Sequence, residues 1–344
     1  MRTANAQIAE TRKYEHFIFL SPRDLLETCL LALELKVPEA MDYAGYLLST
    51  RLSSIAGEDL KKLSRHSDPD LREKTLQIRR RVHRSKVPHL RINTLGGFLV
   101  FRGNHLMEEK EWDRHLSKYL LMAIASYGTQ KIPKDLLMDD LWPDANLASA
   151  SANLKLTLHR LRKSVEPFHD DEFNSSYIHL HENYIFLDEE LCHVDTDQFL
   201  SLINKGEEKE KAGNFKEALS FYTEAIGAYK GHFLPEVSDA SWADRRREEL
   251  REKFIELLNN LAKLYEKQGA MKKGISSYKK AINADPLIEE SYQKLMILCR
   301  NVGMQNEALK TYEACEKALK AGLKSKPEPT TTALYKEILE KLRT

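Results

Sequence analysis

The pattern of apolar and polar positions changes character twice along the chain. To about Arg84 it is helical. Ser21-Pro22 pairs an N-cap residue with a proline at the first helical position, and Leu25, Leu26, Cys29, Leu30 and Leu33 follow on one face. Pro38 opens a second helix carrying Met41, Ala44, Leu47 and Leu48. Ser67 to Val82 opens another, with Leu71, Thr75, Ile78 and Val82 on one side; it resembles the second helix of a HEAT-type repeat. From Leu90 to Leu106 the residues are β-rich, broken by Gly96-Gly97 and turned at Gly103-Asn104, which predicts strands and a hairpin. Helical spacing returns from Leu116 to Gly128, from Lys131 to Trp142 with Pro133 near the first turn, and from about Ser149 to Val165. Ser176 to Glu190 then reads as two strands around a His-Glu-Asn turn.

The last third repeats itself. Segments beginning at Gly213, Gly269 and Gly303 place a small residue five positions on (Ala218, Gly274, Ala308) and a tyrosine nine positions on (Tyr222, Tyr278, Tyr312). A second small residue follows at twelve positions (Ala225, Ala281, Cys315). The last two copies lie 34 residues apart, the tetratricopeptide period. The first interval is longer, and Tyr229 to Glu248 accounts for the excess. Small residues let helices approach closely and the tyrosines fill the groove beside them.

Composition narrows the chemistry. A net charge of +1 excludes a uniformly basic nucleic-acid protein but not a local basic surface. Cys29, Cys192, Cys299 and Cys315 form no CxxC pair, so neither a disulfide framework nor a zinc cluster is expected, and a reduced cytoplasmic compartment fits. Apolar runs such as Cys29 to Leu35 fall far short of the ~20 residues that span a bilayer, and no signal-peptide pattern opens the chain. His179 and His181 share a strand face near Cys192 and His193 but lack recognised ligand spacing, so no metal is assigned. No HExxH motif, glycine-rich nucleotide loop or Ser/His/Asp arrangement is evident. The chain reads as a non-enzyme without a cofactor.

The residues from Ser149 to Val165 include no acid, yet carry Lys155, Arg160, Arg162 and Lys163. Leu154, Leu158, Leu161 and Val165 make one stripe, expected to pack on the helix from Leu116. The other faces hold Asn153, Lys155, Thr157, Arg160 and Lys163, residue types that suit a DNA major groove. With the preceding helix and the following hairpin this makes a winged helix-turn-helix. Asn153 and Arg160 are the candidates for base edges; Lys155, Arg162 and Lys163 for phosphate; His179 and His181 for phosphate contacts from the wing. A surface helix that is merely basic and solvated is the alternative. Between Lys74 and Met107 there is also no acid, so Arg79, Arg80, Arg81, Arg84 and Lys86 form either a solvated linker or a phosphate-contacting arm. Asp139, Asp140 and Asp144 lie in the helix-turn loop, a natural place to touch RNA polymerase.

"LGGFLVFRGN", "LWPDANLASASANLKLTLHRLRK" and "CHVDTDQF" resemble an OmpR-type winged helix joined to a bacterial transcriptional activator domain, the pair carried by antibiotic-pathway regulators and some large MalT-like regulators. The resemblance covers roughly residues 88 to 340. It implies that the basic helix reads promoter DNA and that the repeats serve activation or dimerisation. The expected fold is mainly α with a small β component. Its parts are an N-terminal helical segment (1–86, HEAT-like or a cap), a winged helix-turn-helix (87–192) and a repeat-containing activator domain (193–344). The short connection from Asp188 to Asp197 predicts that the repeats pack on the winged helix. No GxxxxGK[ST] loop or receiver module is recognisable, so the switching signal is left open. Expected partners are double-stranded promoter DNA, RNA polymerase, a second copy on DNA, and a peptide, protein or small effector in the repeat groove, with no membrane. The competing function class is a tetratricopeptide adaptor whose winged helix makes only protein contacts.

Overall fold

A computed structural model describes residues 20–36, 38–167 and 174–343. It divides into two compact units, Met1–His89 with Phe168–Ser176, and Leu90–Pro167 with Tyr177–Thr344.

The first unit contains α1 (Pro22–Glu34), α2 (Pro38–Ser49), α3 (Gly57–Leu63) and α4 (Pro69–Lys86). Ser21 Oγ accepts from Asp24 N, the cap that the Ser-Pro start predicts, and Asp68 Oδ1 accepts from Asp70 N and Leu71 N, capping α4 in a similar way. Leu25, Cys29, Leu33, Leu48, Leu71, Ile78 and Val82 share its core. The run Arg79 to Lys86 is neither linker nor extended arm; it is the end of α4. Ile78 and Val82 turn inward, Arg79 Nη1 donates to Ser64 Oγ at 3.1 Å, and Lys86 Nζ donates to the Ser53 carbonyl at 3.1 Å. Arg80 and Arg81 are exposed.

The second unit begins with a four-stranded sheet in the order β3-β2-β1-β7: β1 (Leu90–Asn93), β2 (Leu99–Arg102), β3 (His105–Leu106) and β7 (Cys192–Val194). β1 and β2 are antiparallel, whereas β7 runs parallel to β1 with Leu90 opposite Cys192. The expected boundary between residues 192 and 193 therefore falls inside a strand. Between β3 and β7 lie α5 (His115–Ala125), β4 (Ile132–Pro133), α6 (Lys134–Leu141), α7 (Leu147–Val165) and the hairpin β5 (Ile178–His181) and β6 (Tyr184–Leu187). β4 joins the hairpin in a three-stranded sheet ordered β4-β6-β5.

Seven helices follow: α8 (Asp195–Lys211), α9 (Phe215–Ala228), α10 (Ser241–Lys267), α11 (Met271–Ala284), α12 (Glu289–Asn301), α13 (Gln305–Gly322) and α14 (Pro329–Arg343). The three repeat glycines each take a left-handed backbone, φ 78° at Gly213, 72° at Gly269 and 78° at Gly303, turning the chain between paired helices. Ala218, Gly274 and Ala308 are buried, as the offsets predict. Tyr222 and Tyr278 are buried and donate to Glu210 at 3.0 Å and Glu266 at 2.8 Å, the same bond twelve residues back in each copy. The third copy has Arg300 at that offset; Tyr312 is half-buried instead and stacks on Tyr335 at 4.2 Å.

Gly206 in α8 faces the Tyr222 ring, where an added Cβ would lie 2.3 Å from a ring carbon. Overpacking of this kind costs about 1–3 kcal/mol, more than the roughly 1 kcal/mol that alanine gains over glycine in a helix. Gly206→Ala therefore lowers the urea midpoint. Gly227→Ala, where nothing lies within 4 Å of the added carbon, leaves it unchanged or raised.

The extra length in the first repeat interval has a structural use. Residues 229–240 form a loop against the first sheet: Gly96 N donates to the His232 carbonyl at 2.9 Å, Leu234 N to the Thr94 carbonyl at 2.8 Å, and Phe98 N to Glu236 Oε1 at 2.6 Å. Arg247 of α10 holds the loop's shape by donating to the carbonyls of Phe233, Leu234 and Val237. Asp195 accepts from Thr94 N, Leu95 N and Thr94 Oγ1 at 2.8, 2.8 and 2.6 Å. Asp197 accepts from Thr129 N at 2.9 Å, and Trp242 packs edge-on against Tyr119 with centroids 5.5 Å apart. Repeats and winged helix are thus packed as one unit, as the short connection predicts.

Candidate nucleic-acid interface

α7 starts two residues before the predicted point because Asn146 Oδ1 caps Ser149 N at 2.9 Å. Leu154, Leu158, Leu161 and Val165 are buried, and α7 packs on α5 as expected. The outward side presents Ser149, Ala152, Asn153, Leu156, His159 and Lys163, with Lys155 on its flank. Among the predicted DNA-contacting residues, Asn153, Lys155 and Lys163 are exposed.

Thr157 and Arg162 are placed differently from what the sequence suggests. Thr157 is only 3% exposed, on the flank of the core stripe, and is not offered to a ligand. Arg162 turns toward the wing, where its Nε and Nη2 donate to the Ile178 carbonyl at 3.1 and 2.9 Å. Burial lowers its pKa from the ordinary arginine value, partly opposed by Glu166. Arg162 therefore fixes β5 against the helix rather than reaching for phosphate. Arg160 is half-exposed, with Nε 3.4 Å from Asp113 Oδ2. Asp113 is also tied to the helix through its own N–H, which donates to Ser164 Oγ at 3.1 Å.

In the wing, His179 Nε2 is 3.0 Å from Asp188 Oδ2 and its ring packs on Phe186, so it is held within the hairpin. His181 is exposed beside the turn, where Glu182 has φ 55°. Lys131 Nζ stands 5.4 Å over the Phe186 ring, and Lys134 N donates to the Asn183 carbonyl at 2.8 Å. Exposed Lys131 extends the basic surface to the wing base; sequence reading missed it because it stands beside β4, a two-residue strand whose pairing with the hairpin local spacing does not show. Asp140 is turned away from the helix-turn surface, accepting from Tyr127 Oη at 3.2 Å and lying 4.0 Å from Arg245, while Asp139 and Asp144 are exposed.

All four cysteines are buried thiols; burial pushes Cys29 and Cys299 up to about 11 and Cys315 to about 12. Among the described residues no cluster of three or more His, Cys, Asp or Glu is placed to hold a metal ion, and no helix is long and apolar enough to cross a membrane.

The family model of the bacterial transcriptional activator domain matches residues 194–339, which span β7's last residue and the repeat helices. Over those residues the chain is similar to regulators that carry this domain. It is 24% identical over 250 residues to the regulatory protein AfsR of Streptomyces griseus, covering 73% of this chain but 24% of AfsR, so it spans about a quarter of that relative's length. It is 23% identical over 256 residues to the transcriptional regulatory protein MoaR1 of Mycobacterium tuberculosis, covering 74% of this chain and 80% of MoaR1. Mycobacterium tuberculosis EmbR, solved in complex with a low-affinity phosphopeptide, superposes with a TM-score of 0.60 at 19% identity, over 74% of this chain and 65% of EmbR. At that identity the likeness is one of fold.

Proposed function

We propose that this chain binds double-stranded promoter DNA sequence-specifically in the bacterial cytoplasm and activates transcription, with α7 in the major groove. The observation that carries the reading is the outward face of α7: solvent-exposed, free of acid from Leu147 to Val165, and flanked by a wing whose base adds Lys131. An adaptor using this face for protein contacts gains nothing from excluding carboxylates. Lys155, Lys163 and Lys131 take phosphates, His181 touches the backbone from the wing tip, and Asn153 and Arg160 read base edges. Arg160 must leave Asp113 to do so.

Exposed Asp139 and Asp144 suit a polymerase contact, and a second copy on a repeated site would add avidity. A cavity of about 400 Å³ between α10 and α12, lined by Asn259, Lys263, Ile288 and Lys294 among others, offers the repeats a place for a peptide or small effector.

Two substitutions compared on a panel of duplexes test the reading. Arg160→Ala relaxes preference at one base pair, by about 1–3 kcal/mol. Lys163→Ala weakens all duplexes alike. The reverse pattern would mean that the helix enters the groove on a different face.

A further inference from the structure

Leu156 is the one large apolar side chain at the centre of the outward face of α7, and it is 50% exposed. Successive helical residues turn by about 100°, so the buried Leu154 and Leu158 both lie about 160° away from it around the axis. Leu156 thus points directly away from the core. Ala152 sits one turn earlier in the same row, with Asn153, His159, Arg160 and Lys163 around it. A single exposed leucine is ordinary on a protein surface; one at the middle of a cationic face directed at base edges is a chemical choice.

We infer that Leu156 reads the C5-methyl group of a thymine, so that the site bound by this chain carries an A·T pair beneath the middle of α7. The inference rests on the DNA-binding reading above and specifies what that face recognises. In the major groove, guanine and adenine present polar edges and cytosine an amino group, while thymine alone presents a methyl. A leucine pressed onto a polar edge strips it of water and returns no hydrogen bond. Pressed onto a methyl, it buries apolar surface on both sides. The arginine content of the helix points the same way. Arg162 is committed to the Ile178 carbonyl, and Arg160 lies one turn beyond Leu156 beside Asp113, where it is placed to read a neighbouring base pair, so the centre of the face itself is left to an apolar contact.

The test uses the full chain and a duplex selected from a random pool. The duplex is resynthesised with deoxyuridine replacing each thymine in turn, which removes only the methyl. One position is expected to weaken binding about fourfold, the value of one buried methyl-sized group. That discrimination disappears in Leu156→Ala and persists in Leu156→Met, which keeps an apolar tip. It also persists in Lys163→Ala, although that variant binds every duplex less tightly. Equal affinity for thymine and uracil at all positions overturns the inference, as does a ratio that survives in Leu156→Ala. A chain that selects no duplex at all gives a separate result: the DNA-binding reading itself then fails, and this inference with it.

Discussion

Asp195→Ala is expected to lower the stability of the second unit by about 3–5 kcal/mol, because it orphans two buried backbone donors and a hydroxyl. The donors are the N–H groups of Thr94 and Leu95, and both residues are almost fully buried. Water cannot readily replace the carboxylate between β1 and α8. Asp195→Asn is expected to cost much less. Its amide oxygen can accept both N–H groups, its amino group can donate to Thr94 Oγ1, and no charge is buried. Burial raises the Asp195 pKa despite the hydrogen bonds it accepts. A carboxyl whose pKa is higher folded than unfolded favours the folded state most when protonated. That contribution is lost as pH rises from the unfolded value through the folded one, and asparagine removes the dependence. Urea unfolding of the three proteins at neutral pH measures the difference. An alanine variant within 1 kcal/mol of the parent would show that the bonds are made good elsewhere.

Raising monovalent salt from about 50 to 200 mM is expected to weaken duplex binding by about 10²–10⁴-fold. This follows if roughly 4 to 8 phosphates are contacted per protomer, each adding about −0.9 to the log–log slope. The exposed cations around α7 and the wing supply contacts on this scale. With a net charge of only +1 the whole chain exerts little long-range pull, so the slope reports local contacts. Fluorescence anisotropy over a salt series gives the number directly. A flat response, or no binding at low salt, would remove the DNA-binding reading and favour a protein-contact role for the winged helix.

The repeats were legible because the same offsets recur three times, and recurrence separates pattern from chance. The core stripe of α7 was legible because four leucine and valine positions carry it. Its flanks were not. Thr157 and Arg162 lie at the edge of the stripe, where residue type says nothing of which way a side chain turns; the carbonyl that Arg162 meets comes from another strand, sixteen residues on. The strand pairing at the 192/193 boundary was not legible because β7 has three residues and pairs with a strand about a hundred residues earlier. α3 was missed because Leu60 and Leu63 alone make no readable period. The carboxylates Asp195 and Asp197 were noticed only as part of a family resemblance. Their work, satisfying backbone donors at Thr94, Leu95 and Thr129, depends on contacts that local spacing does not encode.

α10 runs 27 residues, about 40 Å, from Trp242 beneath Tyr119 to Lys267, whose ammonium lies over the Phe215 ring at the start of α9. One unbroken helix therefore belongs to both halves of the unit, and the loop before it closes the edge of the first sheet. This limits how the chain can be recombined. A chimera joined near residue 192 or 197 would transplant a winged helix stripped of the loop that satisfies Gly96 and Phe98, and would expose Leu95 and Tyr119. The smallest portable module of this chain therefore runs from Leu90 through α10 and into the helices that cover it, because Leu258 and Ala262 of α10 pack with Ala281 and Tyr278.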